Sequence, residues 1–256
     1  MKVLAVSSQV VWGPVGNSAA VPALQAEGHE VLSLSTVTLS NHPGHGPPQG
    51  MRMEPEVMSR MLAALEGLGA LRGLDGVLTG YFASPAQVWE VAALLRRISP
   101  GFVLVDPVIG DNGRLYVPQE VAEAIRDGLL PLATAITPNA FELAWLSARG
   151  VSDEASAIAA ARALGLPEVL ATSIPVEGDR LATILVTAED VHSVVTPRLS
   201  GVPHGTGDFL SGLYLARRLR QPAPGALASA MKTLSRAIAM SAGTAVLDIT
   251  GALRAP

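Results

Sequence analysis

Short apolar runs alternate with longer segments of helical periodicity along most of the chain. The first several runs are continuously apolar, a pattern typical of strands that are covered on both faces of a sheet. Each run is bounded by turn-forming residues or by a helical segment. The predicted strands are Val3–Val6, Glu30–Val37, Gly76–Thr79, Phe102–Val105, Ala135–Thr137, Glu168–Thr172, Thr183–Thr187 and His192–Thr196.

The helical segments between these runs have recognisable ends. Asn17 can cap a helix that runs through Gln25, and the Ser84-Pro85 pair opens a helix that continues to about Arg97. Further helices are predicted after Pro118, Asn139 and Ser152 and from Gly205 onward, the last with one break at 221–224.

The alternation of strands and helices predicts the fold class. It indicates an α/β protein with a mostly parallel central sheet and helices on both faces, a three-layer α/β/α sandwich. Residues 183–196 lack an intervening helix, so they predict an antiparallel hairpin at one sheet edge. Because there is no repeat, linker or composition shift, we expect a single domain over residues 1–256.

Composition excludes several classes of protein. With 49% hydrophobic and 16% charged residues, the chain is not intrinsically disordered. The net charge of −4 and the lack of a basic block argue against a nucleic-acid partner. The chain has no cysteine, which removes disulfides and thiol nucleophiles and fits a cytoplasmic location.

Membrane association is not expected either. No run of about 18 apolar residues is present. The apolar start of the chain, residues 3–6, is cut by the polar residues 7–9 and is therefore predicted to be a buried strand rather than a signal peptide.

Most common site motifs are missing, but one glycine-rich turn stands out. There is no P-loop, nucleophile elbow or zinc-binding helix motif, and residues 13–17 form only a weak dinucleotide-binding candidate. Gly205-Thr206-Gly207-Asp208 directly precedes the apolar helical stretch 209–219. Free backbone N–H groups at a helix start make an anion site, where Asp208 is either a capping carboxylate or a general base.

A second cluster of polar residues follows two neighbouring strands. Asp106–Asp111 and Thr137–Glu142 lie at strand ends, and ligands bind beyond the carboxyl ends of parallel strands. Carboxylate and amide oxygens are ligands that Mg²⁺ prefers. The alternative is that Asn139 only caps a helix and Glu142 only interacts with its dipole.

Several segments together resemble the pyridoxal kinases of the ribokinase-like superfamily. The similarity covers nearly the whole chain, and the first two segments distinguish pyridoxal kinases from their relatives. The matching segments, in the family's order, are 8–20, 40–46, 79–81, 106–111 with 115–117, 137–142 and 205–208.

The resemblance implies an ATP-dependent kinase that phosphorylates the 5′-hydroxymethyl group of pyridoxal, and of pyridoxine or pyridoxamine as further candidates. Asp208 would be the base, and the amides of Gly205, Thr206 and Gly207 would bind the transferring phosphoryl group. Asp106 and Glu142 would hold Mg²⁺, directly or through water. The implied ATP-binding residues are Asp106, Asp111, Thr137, Asn139, Glu142, Thr172, Ser173, Pro197, Arg198, Thr206 and Gly207, with K⁺ or Na⁺ as a candidate ion beside them.

The resemblance also implies a vitamin B6 pocket and a homodimer. The implied substrate-binding residues are Ser8, Trp12, Val15, His42, Pro43, Gly44, His45, Tyr81 and Asp208. Pro43 stands where the family usually has Thr, and His45 where it often has Tyr, which leaves the preferred vitamer open. The only candidate dimer contact in the sequence is the apolar first helix around Ala19–Leu24.

Two other functions stay open from sequence. A hydroxymethylpyrimidine kinase shares the fold, the anion site and the base but has a different opening motif. A non-catalytic protein that binds a vitamer or a nucleotide is the second alternative. Outside the site, we expect Trp89 and Trp145 to be core residues and His29, His192 and His204 to be surface or loop residues.

Overall fold

A twisted sheet lies between two layers of helices in the computed structural model, which describes residues 1–254. Within those residues the sheet has nine strands in the order β11-β10-β9-β8-β5-β4-β1-β2-β3, with β6 and β7 forming a separate hairpin. The strands are β1 (Lys2–Trp12), β2 (Glu30–Asn41), β3 (Gly50–Arg52), β4 (Gly76–Thr79), β5 (Val103–Val105), β6 (Gly110–Asp111), β7 (Arg114–Leu115), β8 (Ala135–Ile136), β9 (Glu168–Val176), β10 (Arg180–Thr187) and β11 (Val191–Pro197).

The helices form one layer on each face of the sheet. They are α1 (Asn17–Ala26), α2 (Pro55–Gly67), α3 (Pro85–Ile98), α4 (Gln119–Ala124), α5 (Ala140–Ser147), α6 (Glu154–Ala163), α7 (Thr206–Arg218), α8 (Ala223–Met240) and α9 (Ile249–Arg254). Side chains of successive strand residues point to opposite faces. Val3 and Ala5 therefore pack in the core shared with α1, α7 and α8, whereas Leu4 and Val6 pack in the core shared with α2 and α3. This explains why β1 is apolar at every position near its start.

The sheet topology brings many strand ends to one edge. Strands β2, β1, β4, β5, β8 and β9 pair in parallel, so their carboxyl ends meet along that edge. Strands β9, β10 and β11 are antiparallel, and Arg180 pairs with Pro197. The carboxyl end of β11 therefore returns to the same edge. The predicted mostly parallel sheet with an edge hairpin is confirmed.

Some local predictions are wrong. Helix α2, strand β3 and the β6–β7 hairpin were not expected, and a second break at 241–248 separates α8 from α9. The cap of α1 is Gly16 rather than Asn17, whose side-chain amide instead donates to the carbonyls of Ser7 and Leu34. The cap of α6 is Asp153 rather than Ser152.

Burial also bears on three expectations. Trp89 is 44% exposed and is not a core residue, whereas His29 is buried, with its Nε2 atom 2.8 Å from the carbonyl of Ala216. Within the expected dimer contact 19–24, Ala19, Ala20, Ala23 and Leu24 are buried inside the molecule, which leaves only Val21 and Pro22 partly exposed on this stretch of α1. Among residues 1–254, no helix is both long and apolar enough to cross a membrane.

Candidate active site

The glycine-rich turn at the start of α7 begins with a residue whose backbone conformation favours glycine. Gly205 is the N-cap of α7 with φ 99°, in the left-handed region, and a Cβ atom there would collide with the carbonyl oxygen of Pro14. The backbone N–H groups of Gly205, Thr206 and Gly207 donate to no other described residue. We call Gly205–Gly207 the anion turn, because three free donors at a helix start form a site for negative charge.

Asp208 follows the anion turn in the first turn of α7. The N-cap of this helix is Gly205, and no side chain of the described residues caps it. Burial raises the pKa of the Asp208 carboxyl above its usual range, and the nearby backbone N–H groups of Gly16 and Asp208 itself partly offset the rise. The turn thus joins free N–H donors to a carboxylate that accepts a proton more readily than an exposed aspartate.

Asp106 lies beyond the end of β5 and is connected to α7. The Ser211 hydroxyl donates to Asp106 Oδ2 over 2.9 Å, and the same hydroxyl lies 2.9 Å from Thr137 Oγ1. Burial and then the charge of Asp208 raise the pKa of Asp106, while the hydrogen bonds from Ser211 and Thr137 lower it. Two carboxylates therefore face the same space at the sheet edge, where a cation would relieve their repulsion.

Glu142 and Asn139 form a capping box at the start of α5. Glu142 Oε2 accepts the Asn139 N–H over 2.9 Å, and Asn139 Oδ1 accepts the Glu142 N–H over 3.0 Å. Glu142 Oε1 also accepts the backbone N–H groups of Ile109 and Gly110, at 3.0 and 3.4 Å. Burial and the charge of Asp106 raise the pKa of Glu142. Both residues therefore cap α5, and they also hold the segment that follows Asp106.

The remaining predicted nucleotide residues lie around this centre. The Thr172 N–H donates to the Pro138 carbonyl over 2.8 Å, and Ser173 is exposed with φ 57° at an irregularity in the β9–β10 pairing. Asp111 lies in the β6–β7 hairpin, where its carboxylate accepts two hydrogen bonds from Asn112. Pro197 ends β11, and the Arg198 guanidinium lies 3.6 Å from the exposed Asp179 carboxylate.

The predicted substrate residues come together near the end of β1. Ser8 is buried against Gly16, where any Cβ atom would collide with the Ser8 carbonyl and hydroxyl. Tyr81 follows β4 and is fixed by its backbone: its N–H donates to Ser7 Oγ, and its carbonyl accepts the Thr36 hydroxyl. Val15 is buried just before Gly16, close to the Pro14 carbonyl that contacts Gly205. This side of the site is thus continuous with the anion turn.

Residues 42–46, which we call the substrate loop, follow β2 and carry two histidines. The His45 ring lies 4.5 Å from the Trp12 ring, centroid to centroid, and the His42 ring lies 4.1 Å from the His204 ring. His204 is exposed as expected, but it also joins this group of rings. Pro43 and Gly44 are exposed in the short helical turn of the loop.

Sequence reasoning missed four residues of the site. Pro14 and Gly16 contact the anion turn and Asp208, Ser211 bridges Asp106 and Thr137, and His204 contacts the substrate loop. Ser211 could have been found, because it follows Asp208 by three positions and therefore shares its helix face. Nothing in the linear sequence brings His204 to His42.

Comparisons with known proteins identify a family of related kinases. The phosphomethylpyrimidine kinase family matches residues 23–250. The chain is 36% identical over 265 residues to pyridoxal kinase PdxY of Deinococcus radiodurans, covering 97% of this chain and 86% of that protein. It is 37% identical over 228 residues to a pyridoxine/pyridoxal/pyridoxamine kinase of Bordetella avium, covering 85% and 77%.

Solved structures of pyridoxal kinases have the same fold as this chain. Pyridoxal kinase from Leishmania donovani in complex with ADP and pyridoxine superposes with a TM-score of 0.93 at 33% identity, over 98% of this chain and 94% of that one. Pyridoxal kinase from Entamoeba histolytica superposes with a TM-score of 0.92 at 30% identity, over the same shares. The resemblance to pyridoxal kinases of the ribokinase-like superfamily is therefore confirmed, and the chain belongs to the phosphomethylpyrimidine kinase family.

Proposed function

We propose that this protein transfers the γ-phosphoryl group of ATP to the 5′-hydroxymethyl group of pyridoxal, giving pyridoxal 5′-phosphate and ADP. The observation that carries the proposal is the pairing of Asp208, whose pKa is raised, with the free N–H groups of the anion turn. A base and an anion site within one helical turn suit a hydroxyl that attacks a phosphoryl group. The pyridoxal kinases among the relatives support this choice of acceptor.

In the proposed mechanism, Asp208 removes the proton of the 5′-hydroxyl group as its oxygen attacks the γ-phosphorus. The bond from the γ-phosphorus to the β,γ-bridging oxygen breaks, and ADP leaves. The N–H groups of Gly205, Thr206 and Gly207 stabilise the charge on the transferring group. A raised pKa suits Asp208 to this work, since general bases act best when their pKa lies near the working pH.

The carboxylates at the sheet edge fit a Mg²⁺ ion that arrives with ATP. Among the described residues there is no group of three or more acidic, histidine or cysteine side chains that would form a metal cage. Mg²⁺ does not need one, because it usually keeps waters and binds one or two carboxylates together with phosphate oxygens. Asp106 is the residue suited to hold it. Both Glu142 oxygens accept backbone N–H groups, so Glu142 would contact the Mg²⁺ ion through a bound water molecule rather than directly. Bound there, the ion would neutralise phosphate charge.

The nucleotide would lie along the carboxyl edge from β5 to β11. Thr137 and Thr172 would contact the phosphates and a K⁺ or Na⁺ ion, with Ser173, Asn139 and Asp111 around them. Pro197 and Arg198, at the end of β11, would border the adenine. All of these residues lie at the edge that holds Asp106 and the anion turn.

The pyridine ring would lie between β1, Tyr81 and the substrate loop. Ser8 would hydrogen-bond the ring, Tyr81 would flank it, and Val15 and Trp12 would form apolar walls. His42, Pro43, Gly44 and His45 would close the pocket from the loop side. We further propose that the protein acts as one kinase domain, as a homodimer and in the cytoplasm. Light scattering tests the dimer.

The experiment that tests the function is a panel of acceptors with ATP, scored by ADP release and by mass identification of the product. The panel contains pyridoxal, pyridoxine, pyridoxamine and hydroxymethylpyrimidine. Turnover of pyridoxal to its 5′-phosphate is the expected result. Turnover of hydroxymethylpyrimidine alone would contradict the proposal in favour of the other kinase, and binding without ADP release would indicate a non-catalytic protein.

A further inference from the structure

The substrate loop is hydrogen bonded only to itself and to Asn41 among the described residues. The backbone N–H of His45 donates to the His42 carbonyl, and the backbone N–H of Gly46 donates to the Pro43 carbonyl. Asn41 Nδ2 donates to the carbonyls of His42 and Gly46, and the Gly44 N–H donates to His42 Nδ1. Hydrogen bonds therefore shape the loop but do not attach it to the rest of the molecule.

Ring contacts provide that attachment. The His42 and His204 rings have centroids 4.1 Å apart and planes tilted by 35°, a tilted form of stacking. His45 lies 4.5 Å from Trp12, and it presents an edge to His42 and His204 at 6.1 and 6.0 Å. These four rings, which we call the ring cluster, connect the end of β1, the substrate loop and the residue before Gly205.

Two glycines make room for the ring cluster. A Cβ atom on Gly44 would lie 2.9 Å from His204 Cδ2, and one on Gly13 would lie 3.2 Å from His45 Nε2. Each ring thus rests closely on the backbone of a neighbouring element. The contact between His204 and the loop includes main chain as well as the His42 side chain.

We propose that His204 is a positioning residue that holds the substrate loop against the anion turn. His204 is bonded directly to Gly205, whose backbone is fixed by its left-handed conformation and its close approach to the Pro14 carbonyl. Its ring is therefore anchored beside the site of phosphoryl transfer. By stacking on His42, it sets the distance between the loop that encloses the acceptor and the turn that binds the transferring group. This inference rests on the proposed function.

The charge state of the cluster agrees with this role. The titratable groups that face His42 are His204 and His45; burial and then these two neighbours lower the pKa of His42 to about 4. Burial and then His45 lower the pKa of His204. At neutral pH both stacked rings are uncharged, and His42 Nδ1 is free to accept the Gly44 N–H. An uncharged pair can stack without repulsion.

The kinetic test compares His204→Ala with His204→Phe, which keeps an aromatic ring. Loss of an aromatic contact in His204→Ala should raise KM for pyridoxal by about 3- to 10-fold, with kcat and KM for ATP within about twofold. His204→Phe should stay within about twofold of the wild type. His192→Ala, an exposed histidine on β11, is the matched control. An unchanged KM in His204→Ala, or equal defects in the Ala and Phe variants, would overturn the inference.

A second measurement does not depend on activity. Nuclear magnetic resonance titration of the five histidines should give His42 a midpoint of about 4, well below that of an ordinary histidine. In His204→Ala, where the ring and its charge are gone, the midpoint of His42 should rise towards the ordinary value of about 6.5. An unchanged midpoint would contradict the stack. If the wild type phosphorylates no vitamer, the proposed function fails, and this titration still decides whether His204 holds the loop.

Discussion

The anion turn and the substrate loop lie side by side, but they are held by different forces. The turn is fixed by its backbone, because Gly205 abuts the Pro14 carbonyl. Next to the turn, side-chain hydrogen bonds connect Asp106 through Ser211 to Thr137. Within residues 1–254, the loop makes only local hydrogen bonds and is attached by ring contacts. Groups that carry charge in the transition state are thus built into rigid elements, whereas groups that enclose the acceptor lie on a more adjustable segment.

This contrast makes the two regions separable by kinetics. Changes at the turn should lower kcat, because they disturb interactions that matter when charge develops. Changes at the loop should mainly raise KM for the acceptor, because they weaken its enclosure in ground and transition states alike. Substitutions in the two regions therefore test that separation.

Asp208→Ala should give the largest loss. Without the base, kcat should fall by at least about 10²-fold. ATP binding, measured by calorimetry, should remain within about threefold, because the N–H groups of the turn are backbone. Asp190→Ala, which removes an exposed carboxylate near the start of β11, is the control. An unchanged kcat in Asp208→Ala would remove this residue from the mechanism.

Gly205→Ala should reduce kcat by about 10²-fold, since a misplaced donor in such a site costs that much or more. The new methyl group must move either Gly205 or the Pro14 carbonyl, and both border the site. Gly201→Ala separates the effect of a strained backbone from the effect of the collision with Pro14. Gly201 also has a positive φ, of 69°, but it has open space around it. Equal losses in the two variants would show that backbone conformation, and not the contact with Pro14, is responsible.

The dependence of kcat on pH should reflect the buried acids. Burial raises the pKa of Asp208, and burial together with the Asp208 charge raises that of Asp106. A base must be ionised to act, so activity should fall on the acid side, about tenfold per pH unit. The fall should begin above the usual aspartate range near 4. Asp208→Asn should be slow, and the part of the acid-side fall that comes from Asp208 should be absent. A wild-type kcat that stays constant down to pH about 4 would contradict the assignment.

Trp12→Leu should have the smallest effect on the kinetic constants. Trp12 is 51% exposed and its ring contact is with His45, so its loss loosens one side of the loop. We expect KM for pyridoxal to rise about two- to threefold with kcat unchanged. Trp89→Leu, on α3, is the matched control. A fall in kcat comparable to that of Gly205→Ala would show that loop and turn are not separable.

The sequence was sufficient for the architecture because the strands are buried on both faces. The start of β1, residues 3–6, is continuously apolar, since each of its residues enters one of two cores. The capping box of Asn139 and Glu142 is local, so its residues were visible from their spacing. Helix α2 was missed because it has no side-chain cap and buries only Met58 and Leu62.

The site was predictable only where its residues follow strand ends or glycine turns. Asp106, Thr137 and Asp208 were found in this way, and the structure connects Asp106 and Thr137 through Ser211. The contact between His42 and His204 depends on two loops that meet only in the folded chain. The first helix shows that apolar residues alone do not distinguish a surface contact from the core, because Ala19, Ala20, Ala23 and Leu24 are buried in the core.

The most direct test of the account is a crystal structure of the protein with pyridoxal and a non-hydrolysable ATP analogue. We expect an Asp208 carboxylate oxygen within about 3 Å of the 5′-hydroxyl group, with the N–H groups of the anion turn directed at the γ-phosphate. A complex in which Asp208 points away from the hydroxyl group, or in which the γ-phosphate lies elsewhere, would contradict the central claim.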